Sequence, residues 1–142
     1  MLKLLFAPIV ILALAASATA SELSSPAPAD ASLYFITPSD GETVENPVTV
    51  RFGLGGMGVA PAGVERENTG HHHLLIDTDI STLNLGAPLP ATDKVKHFGG
   101  GQTETVLELA PGQHTLQLLL GNHLHVPHTP AVLSEKITIT VK

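Results

Sequence analysis

Hydrophobic residues in this chain recur at every second position, and this spacing restricts the fold more than any other feature of the sequence. In one stretch, Val48, Val50 and Phe52 are separated by Thr49 and Arg51. Successive side chains of a β-strand point to opposite faces, so the alternation predicts a strand with one buried face. No segment carries the apolar stripe of a convincing amphipathic helix. Seven strands are predicted, at residues 33–37, 48–54, 71–77, 94–98, 103–109, 114–121 and 135–141, of which the one at 94–98 is weak.

Turn-forming residues separate these strands. Glycine, proline and aspartate cluster at residues 38–41, 99–101 and 111–112, and such clusters favour turns. Many short strands with frequent turns predict an all-β protein, an immunoglobulin-like β-sandwich of about seven strands that occupies residues 32–142. The length of 142 residues suits one such domain.

The N-terminal segment carries the pattern of an export signal. Lys3 is followed by an uninterrupted apolar stretch at 4–16 and by small residues up to Ala20. We predict a signal peptide at residues 1–20, cleaved after Ala20, and a periplasmic or secreted location. The alternative is an uncleaved anchor, although the apolar stretch is shorter than the roughly 20 residues of a membrane span. Small residues and prolines at 21–31 predict a short, disordered leader.

Composition excludes several classes of function. The chain has no cysteine, so it has no disulfide, no thiolate metal site and no cysteine nucleophile. Its net charge of -6 argues against nucleic acid as a partner, since a binder of phosphate backbones needs a basic face. No G-x-S-x-G motif marks a serine nucleophile. The chemistry that remains is that of histidine, because eight histidines outnumber the seven lysines and arginines.

The predicted topology gathers most of these histidines. In a sandwich whose strands run alternately up and down, the connections after the second, fourth and sixth strands lie at the same end. Seven of the eight histidines map to these connections or to the strand starts beside them, and only His114 maps to the other end. The residues at the shared end are Met57, His71, His72, His73, His97, His123, His125 and His128.

Side-chain parity narrows the set. His72 shares the inward parity of Leu74, so His71 and His73 face outward from the sheet. If the neighbouring strand continues past Gly121, the next pair of histidines also faces outward. Imidazole nitrogens suit copper or zinc. Because an imidazole binds a metal only when it is neutral, the metal affinity should fall below about pH 6.5. We therefore predict a copper or zinc site with ligands His71, His73, His123 and His125, and with His97, His128 and Met57 as second choices.

Other functions fit the same residues. Histidines at strand ends often donate to backbone carbonyls and order irregular loops, which is the role we expect of His72 and His114. In that case the chain is a metal-free envelope protein-interaction module. Clustered histidines also suit a pH sensor. An enzyme stands third, because a bound metal with an open coordination position can activate water or dioxygen, but nothing identifies a substrate.

Several longer motifs are specific enough to compare with a known family. They include Gly53-Leu54-Gly55-Gly56-Met57-Gly58, Gly70-His71-His72-His73-Leu74-Leu75-Ile76-Asp77, His97-Phe98-Gly99-Gly100-Gly101 and Gly121-Asn122-His123-Leu124-His125-Val126-Pro127-His128. These motifs resemble those of a bacterial family catalogued as domain of unknown function 4399. The resemblance covers nearly all of residues 33–142 and implies an exported single domain, but it implies no activity. More loosely, residues 38–52 are similar to the first strands of many bacterial immunoglobulin-like domains, periplasmic copper carriers among them.

Overall fold

The structure, a computed structural model, describes residues 22–142. The predicted signal peptide at 1–20 lies outside these residues. No helix within 22–142 is long and apolar enough to cross a membrane. The described chain forms a 3-10 turn at Ile80–Thr82 and the strands β1 Ser32–Thr37, β2 Thr43–Val44, β3 Val48–Gly55, β4 Gly58–Val59, β5 Thr69–Ile76, β6 Val95–His97, β7 Glu104–Leu107, β8 Gly112–Gly121 and β9 Ile137–Val141.

These strands form two sheets. The smaller sheet has the antiparallel order β1-β3-β7. The larger sheet has the order β2-β9-β8-β5-β4, and β6 pairs with β5. Its central pairs are antiparallel, whereas the two-residue strands β2 and β4 pair in parallel with β9 and β5. The all-β sandwich predicted from the sequence is therefore confirmed.

The main core lies between the two sheets, and the period-two pattern builds it. Val50 and Phe52 on β3 face Leu116, Leu118 and Leu120 on β8, and all five side chains are buried. Each strand thus places every second residue in one shared apolar layer, as alternation requires. The prediction of inward parity for these β3 and β8 residues is confirmed.

The outer face of the larger sheet is buried as well. Leu75, Val95 and Leu119 form a second apolar cluster with Leu89, which lies on the long connection between β5 and β6. The connection after β8 covers the same face, where Leu133 forms a bridge with Leu119. Strand β5 is therefore buried on both faces. Its outward-pointing residues lie beneath loops and out of solvent, which the alternation alone does not predict.

The leader differs from its prediction. The composition of 21–31 predicts disorder, whereas residues 23–27 contact the connection after β8. The Ala27 amide donates to the Thr129 carbonyl at 3.2 Å, and the Thr129 amide donates to the Ser25 carbonyl at 2.9 Å. The Ser24 hydroxyl donates to the Pro127 carbonyl at 2.7 Å. Backbone groups and hydroxyls make these contacts, so a low content of apolar side chains does not prevent them.

Candidate metal centre

Strand β5 supplies two of the site's imidazoles. His71 and His73 are two residues apart, so they project from the same outer face of the larger sheet. Across the strand pair, His71 lies opposite Gly121 and His73 lies opposite Leu119 on β8. A Cβ atom at Gly121 would overlap the ring of His73. The glycine therefore leaves the space that this ring occupies.

Strand β6 brings a third imidazole beside them. His97 is the register partner of His73 in the antiparallel β5–β6 pair, and directly opposed residues share one face of a sheet. The two ring centroids are 4.4 Å apart in an edge-to-face arrangement. The His97 Nε2 donates to the Pro90 carbonyl at 3.0 Å, since a carbonyl oxygen only accepts. This bond holds His97 against the connection that covers the sheet.

His125 reaches the cluster from the turn that follows β8. The His125 amide donates to the Asn122 carbonyl at 2.9 Å, and its own carbonyl accepts from the Leu89 amide at 2.9 Å. His125 has a left-handed backbone with φ of 62°. The sequence also predicts His125 as a ligand, on the assumption that the strand continues past Gly121. In the structure β8 ends there, and a tight turn sets the direction of the ring.

The ring nitrogens of three histidines converge. His71 Nε2 lies 2.9 Å from His125 Nδ1, and His73 Nε2 lies 3.2 Å from the same atom. One ligand nitrogen from each lies within 4.8 Å of the others; we call these three residues the triad. Ligand nitrogens about 2.0–2.1 Å from a tetrahedral ion are about 3.3 Å from each other. The two distances to His125 Nδ1 are slightly shorter than this separation, so each of these two pairs needs only a small expansion to hold an ion.

Burial keeps the triad uncharged at neutral pH. The side chains of His71 and His73 are fully buried. Burial, followed by repulsion from neighbouring imidazoles, lowers the pKa of His71 from 6.5 to about 4. The same causes lower the pKa of His73 strongly, and burial followed by His97 lowers that of His125. Neutral imidazoles carry the lone pairs that metal binding requires.

Other histidines in the fold have a different kind of partner. His128 is buried, and its Nε2 donates to the Thr69 carbonyl at 3.1 Å. His97 bonds to Pro90 in the same way, and His114 bonds to Ala110. A ring that donates to a backbone carbonyl orders a loop. In the triad, by contrast, ring nitrogens of different histidines face one another.

The predicted set of ligands is thus divided. The structure brings His71, His73 and His125 together, with His97 packed against them. It does not bring the other three candidates into the triad. His123 Nε2 lies 3.9 Å from the Glu65 carboxylate at the surface, His128 bonds to the backbone, and Met57 packs against the main core.

The remaining two histidines lie apart from the triad. His72 points into the main core, where its ring centroid is 5.1 Å from that of Phe52; this is the inward parity predicted for it. Neither of its buried ring nitrogens has a hydrogen-bond partner, so the expectation that His72 donates to a backbone carbonyl is wrong. Burial lowers its pKa to about 4. His114 lies at the far end of the sheet, where Nδ1 is 2.7 Å from Asp77 Oδ2 and Nε2 is 2.7 Å from the Ala110 carbonyl. The Ala110 carbonyl, and then Asp77, raise the pKa of His114.

Asn122 is a site residue that the sequence analysis missed. Its Oδ1 accepts from the amides of Leu124 and Val126 at 2.9 and 3.1 Å, which shapes the turn that carries His125. Its Nδ2 donates to the Leu23 carbonyl at 2.8 Å and to the Ser25 hydroxyl at 3.0 Å. The signal that could have found it is the Gly-Asn pair at the end of a strand, which is typical of a turn.

Comparison with known proteins gives a family and no activity. A family model described as Domain of unknown function (DUF4399) matches residues 50–142, which include the triad and His97. No curated protein and no solved structure matches the chain.

Proposed function

Because this chain belongs to the DUF4399 family, whose description assigns no activity, we propose its function from the site alone: a non-enzymatic protein that binds one copper or zinc ion through His71, His73 and His125. Neutral nitrogen ligands suit these two metals. The observation that carries the proposal is the convergence of two Nε2 atoms on a single Nδ1, at 2.9 and 3.2 Å.

If the three histidines served only to stabilise the fold, two imidazoles would compete for one ring nitrogen, which is unfavourable. The Nδ1 atom of a neutral imidazole is either a donor or an acceptor, so it makes one strong in-plane hydrogen bond. In this structure His125 Nδ1 has two close imidazole partners. An ion between the three nitrogens would satisfy all of the lone pairs that converge there.

An ion here would also join separate parts of the fold. Two ligands lie on β5, and the third lies on the turn after β8, 52 residues or more along the chain. A ligand that binds only the folded state stabilises it in proportion to the logarithm of its concentration relative to Kd. Metal binding therefore couples the position of the turn to the sheet, which suits sequestration or delivery of an ion.

We further propose that the protein acts outside the cytoplasm, in the periplasm or as a secreted protein. The support is the pattern of the first twenty residues, in which Lys3 precedes an apolar stretch and small residues precede the expected cleavage after Ala20. A site built from histidine alone suits such a compartment, because it has no thiol to oxidise.

A metal-free interaction module is the second candidate. Its support is that His97, His114 and His128 each donate to a backbone carbonyl and so order loops. The loops at the triad end also expose apolar side chains, Val64 at 47% and Leu124 at 42%. These surfaces would meet a protein partner of the cell envelope.

Calorimetric titration separates the two functions. Tag-free protein, stripped with a chelator, is titrated with Zn²⁺ and with Cu²⁺. We expect saturation at one ion per chain, loss of that binding in His125→Ala, and full binding in the matched control His123→Ala. Binding that survives His125→Ala, or no binding at all, would contradict the metal function and favour the interaction module.

A further inference from the structure

The number, charge and surroundings of the triad nitrogens restrict which ion the site can hold. We propose that the triad binds cuprous copper, Cu⁺, in a three-coordinate site formed by His71, His73 and His125. This inference rests on the proposed metal function and narrows it from copper or zinc to one ion in one oxidation state.

The number of protein ligands favours this ion. Among residues 22–142, the triad is the one group of three or more histidine, aspartate or glutamate side chains whose ligand atoms lie within 4.8 Å of one another. His97 is the nearest additional imidazole, but its Nε2 is bonded to the Pro90 carbonyl at 3.0 Å. Zn²⁺ takes four ligands in almost all structural sites, and Cu²⁺ prefers tetragonal geometry. Cu⁺, by contrast, is stable with only three ligands, so three imidazoles can complete its coordination sphere.

The surroundings restrict access to the triad without closing it, since His71 and His73 are fully buried and His125 is half-buried. Five of the best-defined clefts in the described part of the chain have volumes from about 220 to 750 Å³, and none of these five is lined by a residue of the triad. His97 lines one cleft, while His123 and His128 line another. The His97 ring covers the triad from the side, with centroids 4.4 Å from His73 and 4.6 Å from His125. Zinc in a catalytic site, by contrast, keeps a position open to water.

The charge of the ligands also favours Cu⁺. All three ligands are neutral, and the set contains no carboxylate. The acidic side chain found beside a nearby histidine is Glu65, which contacts His123 and is 82% exposed. The cost of burying an ion grows with the square of its charge, so a monovalent ion costs about one quarter as much as a divalent one of the same size. In a site with two fully buried ligands and no charged ligand, this cost favours Cu⁺ over Zn²⁺ and Cu²⁺.

The test is a comparison of three ions on the same tag-free, processed chain. Cu⁺ is titrated without oxygen against the chromophoric chelator bicinchoninate, and Zn²⁺ and Cu²⁺ are titrated against chromophoric chelators of their own. We expect one Cu⁺ per chain, bound at least 100-fold more tightly than Zn²⁺. His125→Ala should weaken Cu⁺ binding at least tenfold, whereas His123→Ala should leave it unchanged.

X-ray absorption on the wild-type protein provides a readout that depends on no variant. We expect the edge of three-coordinate Cu⁺ and about three nitrogen neighbours. Tighter binding of Zn²⁺ or Cu²⁺ at a site that His125→Ala removes would overturn the inference and leave the proposed metal function standing, as would a four-coordinate copper spectrum. Failure of every ion to bind would overturn both.

Discussion

The Nδ1 atom of His125 lies 2.9 Å from the Nε2 atom of His71, although 54 residues separate the two along the chain. One residue is fixed by the hydrogen bonds of a central strand, and the other by a five-residue turn held at Asn122. The candidate metal site therefore depends on two local structures that fold by different rules. Each of these local structures can be perturbed by a substitution that leaves all three ligand residues in place.

Gly121→Ala should disturb the strand side of the site. The added methyl group would overlap the ring of His73, and inserting a methylene or methyl into a packed region costs about 1–3 kcal/mol. We expect a loss of that size in the free energy of unfolding, measured with urea, and metal binding at least tenfold weaker. Gly58→Ala is the matched control, since its Cβ would meet only Thr69 Cγ2 at 3.6 Å. Equal effects of the two substitutions would count against the proposed packing.

Asn122→Ala should disturb the turn side. The buried amide of Val126 would lose its acceptor, and an unpaired buried donor costs about 1–3 kcal/mol. Because His125 would lose its fixed position, we expect metal affinity to fall at least tenfold in a titration. In the control Asn84→Ala, an exposed Asn that accepts from the Gly86 amide, affinity should not change. An Asn122→Ala protein with wild-type affinity would show that the turn does not position His125.

Acid should destabilise the metal-free protein in a defined range of pH. His72 has a pKa of about 4 when folded and 6.5 as its ordinary value, so the unfolded chain binds the proton more strongly between these values. A lowered histidine pKa therefore costs stability as the pH falls from 6.5 to 4, and His71 adds to the same trend. Urea unfolding at several pH values measures this slope, and His72→Leu should reduce it by about one proton. An unchanged slope in that variant would contradict the burial of a neutral His72.

His114 should act in the opposite direction. The Ala110 carbonyl and Asp77 raise its pKa when folded, so its contribution to stability is complete below pH 6.5 and disappears as the pH rises through the raised value. The effect is modest, because the pair is partly exposed. Thermal unfolding from pH 6 to 9 should show wild type losing stability relative to His114→Gln. A constant difference between the two proteins would show that His114 is not charged.

The metal affinity should also resist acid more than an ordinary histidine site does. The sequence predicts a loss of affinity below about pH 6.5, the ordinary pKa of histidine. Burial lowers the pKa of His71 to about 4 and lowers those of His73 and His125, so protons compete with the ion only at lower pH. Titrations at pH 7 and 5.5 should give affinities that differ by less than tenfold. A tenfold or larger loss at pH 5.5 would contradict this protection.

The sequence predicts more of the sheets than of the loops. Alternation identifies the strands and the inward parity of His72, because strand geometry depends only on local spacing. It also places His71 and His73 on one face. It does not predict that the long connections cover this face, since burial of Leu89 and Leu133 against it depends on contacts between distant residues.

The third ligand shows where parity fails. Extending the strand past Gly121 predicts that His123 and His125 point the same way. In the structure the turn at Asn122 ends the alternation. His125 therefore faces His71 and His73, while His123 lies near Glu65 at the surface. Side-chain directions alternate only within a strand, so parity does not predict the direction of a residue that lies beyond the strand's end. The positive φ of His125, 62°, could not be read from its residue type.

The metal site is tested most directly by a crystal structure of the protein grown with the metal, with anomalous diffraction recorded at the absorption edge of that metal. We expect one strong peak about 2.0–2.1 Å from a nitrogen of each of His71, His73 and His125. A peak at His123 and Glu65 alone, or no peak beside three imidazoles that remain in contact with one another, would contradict it.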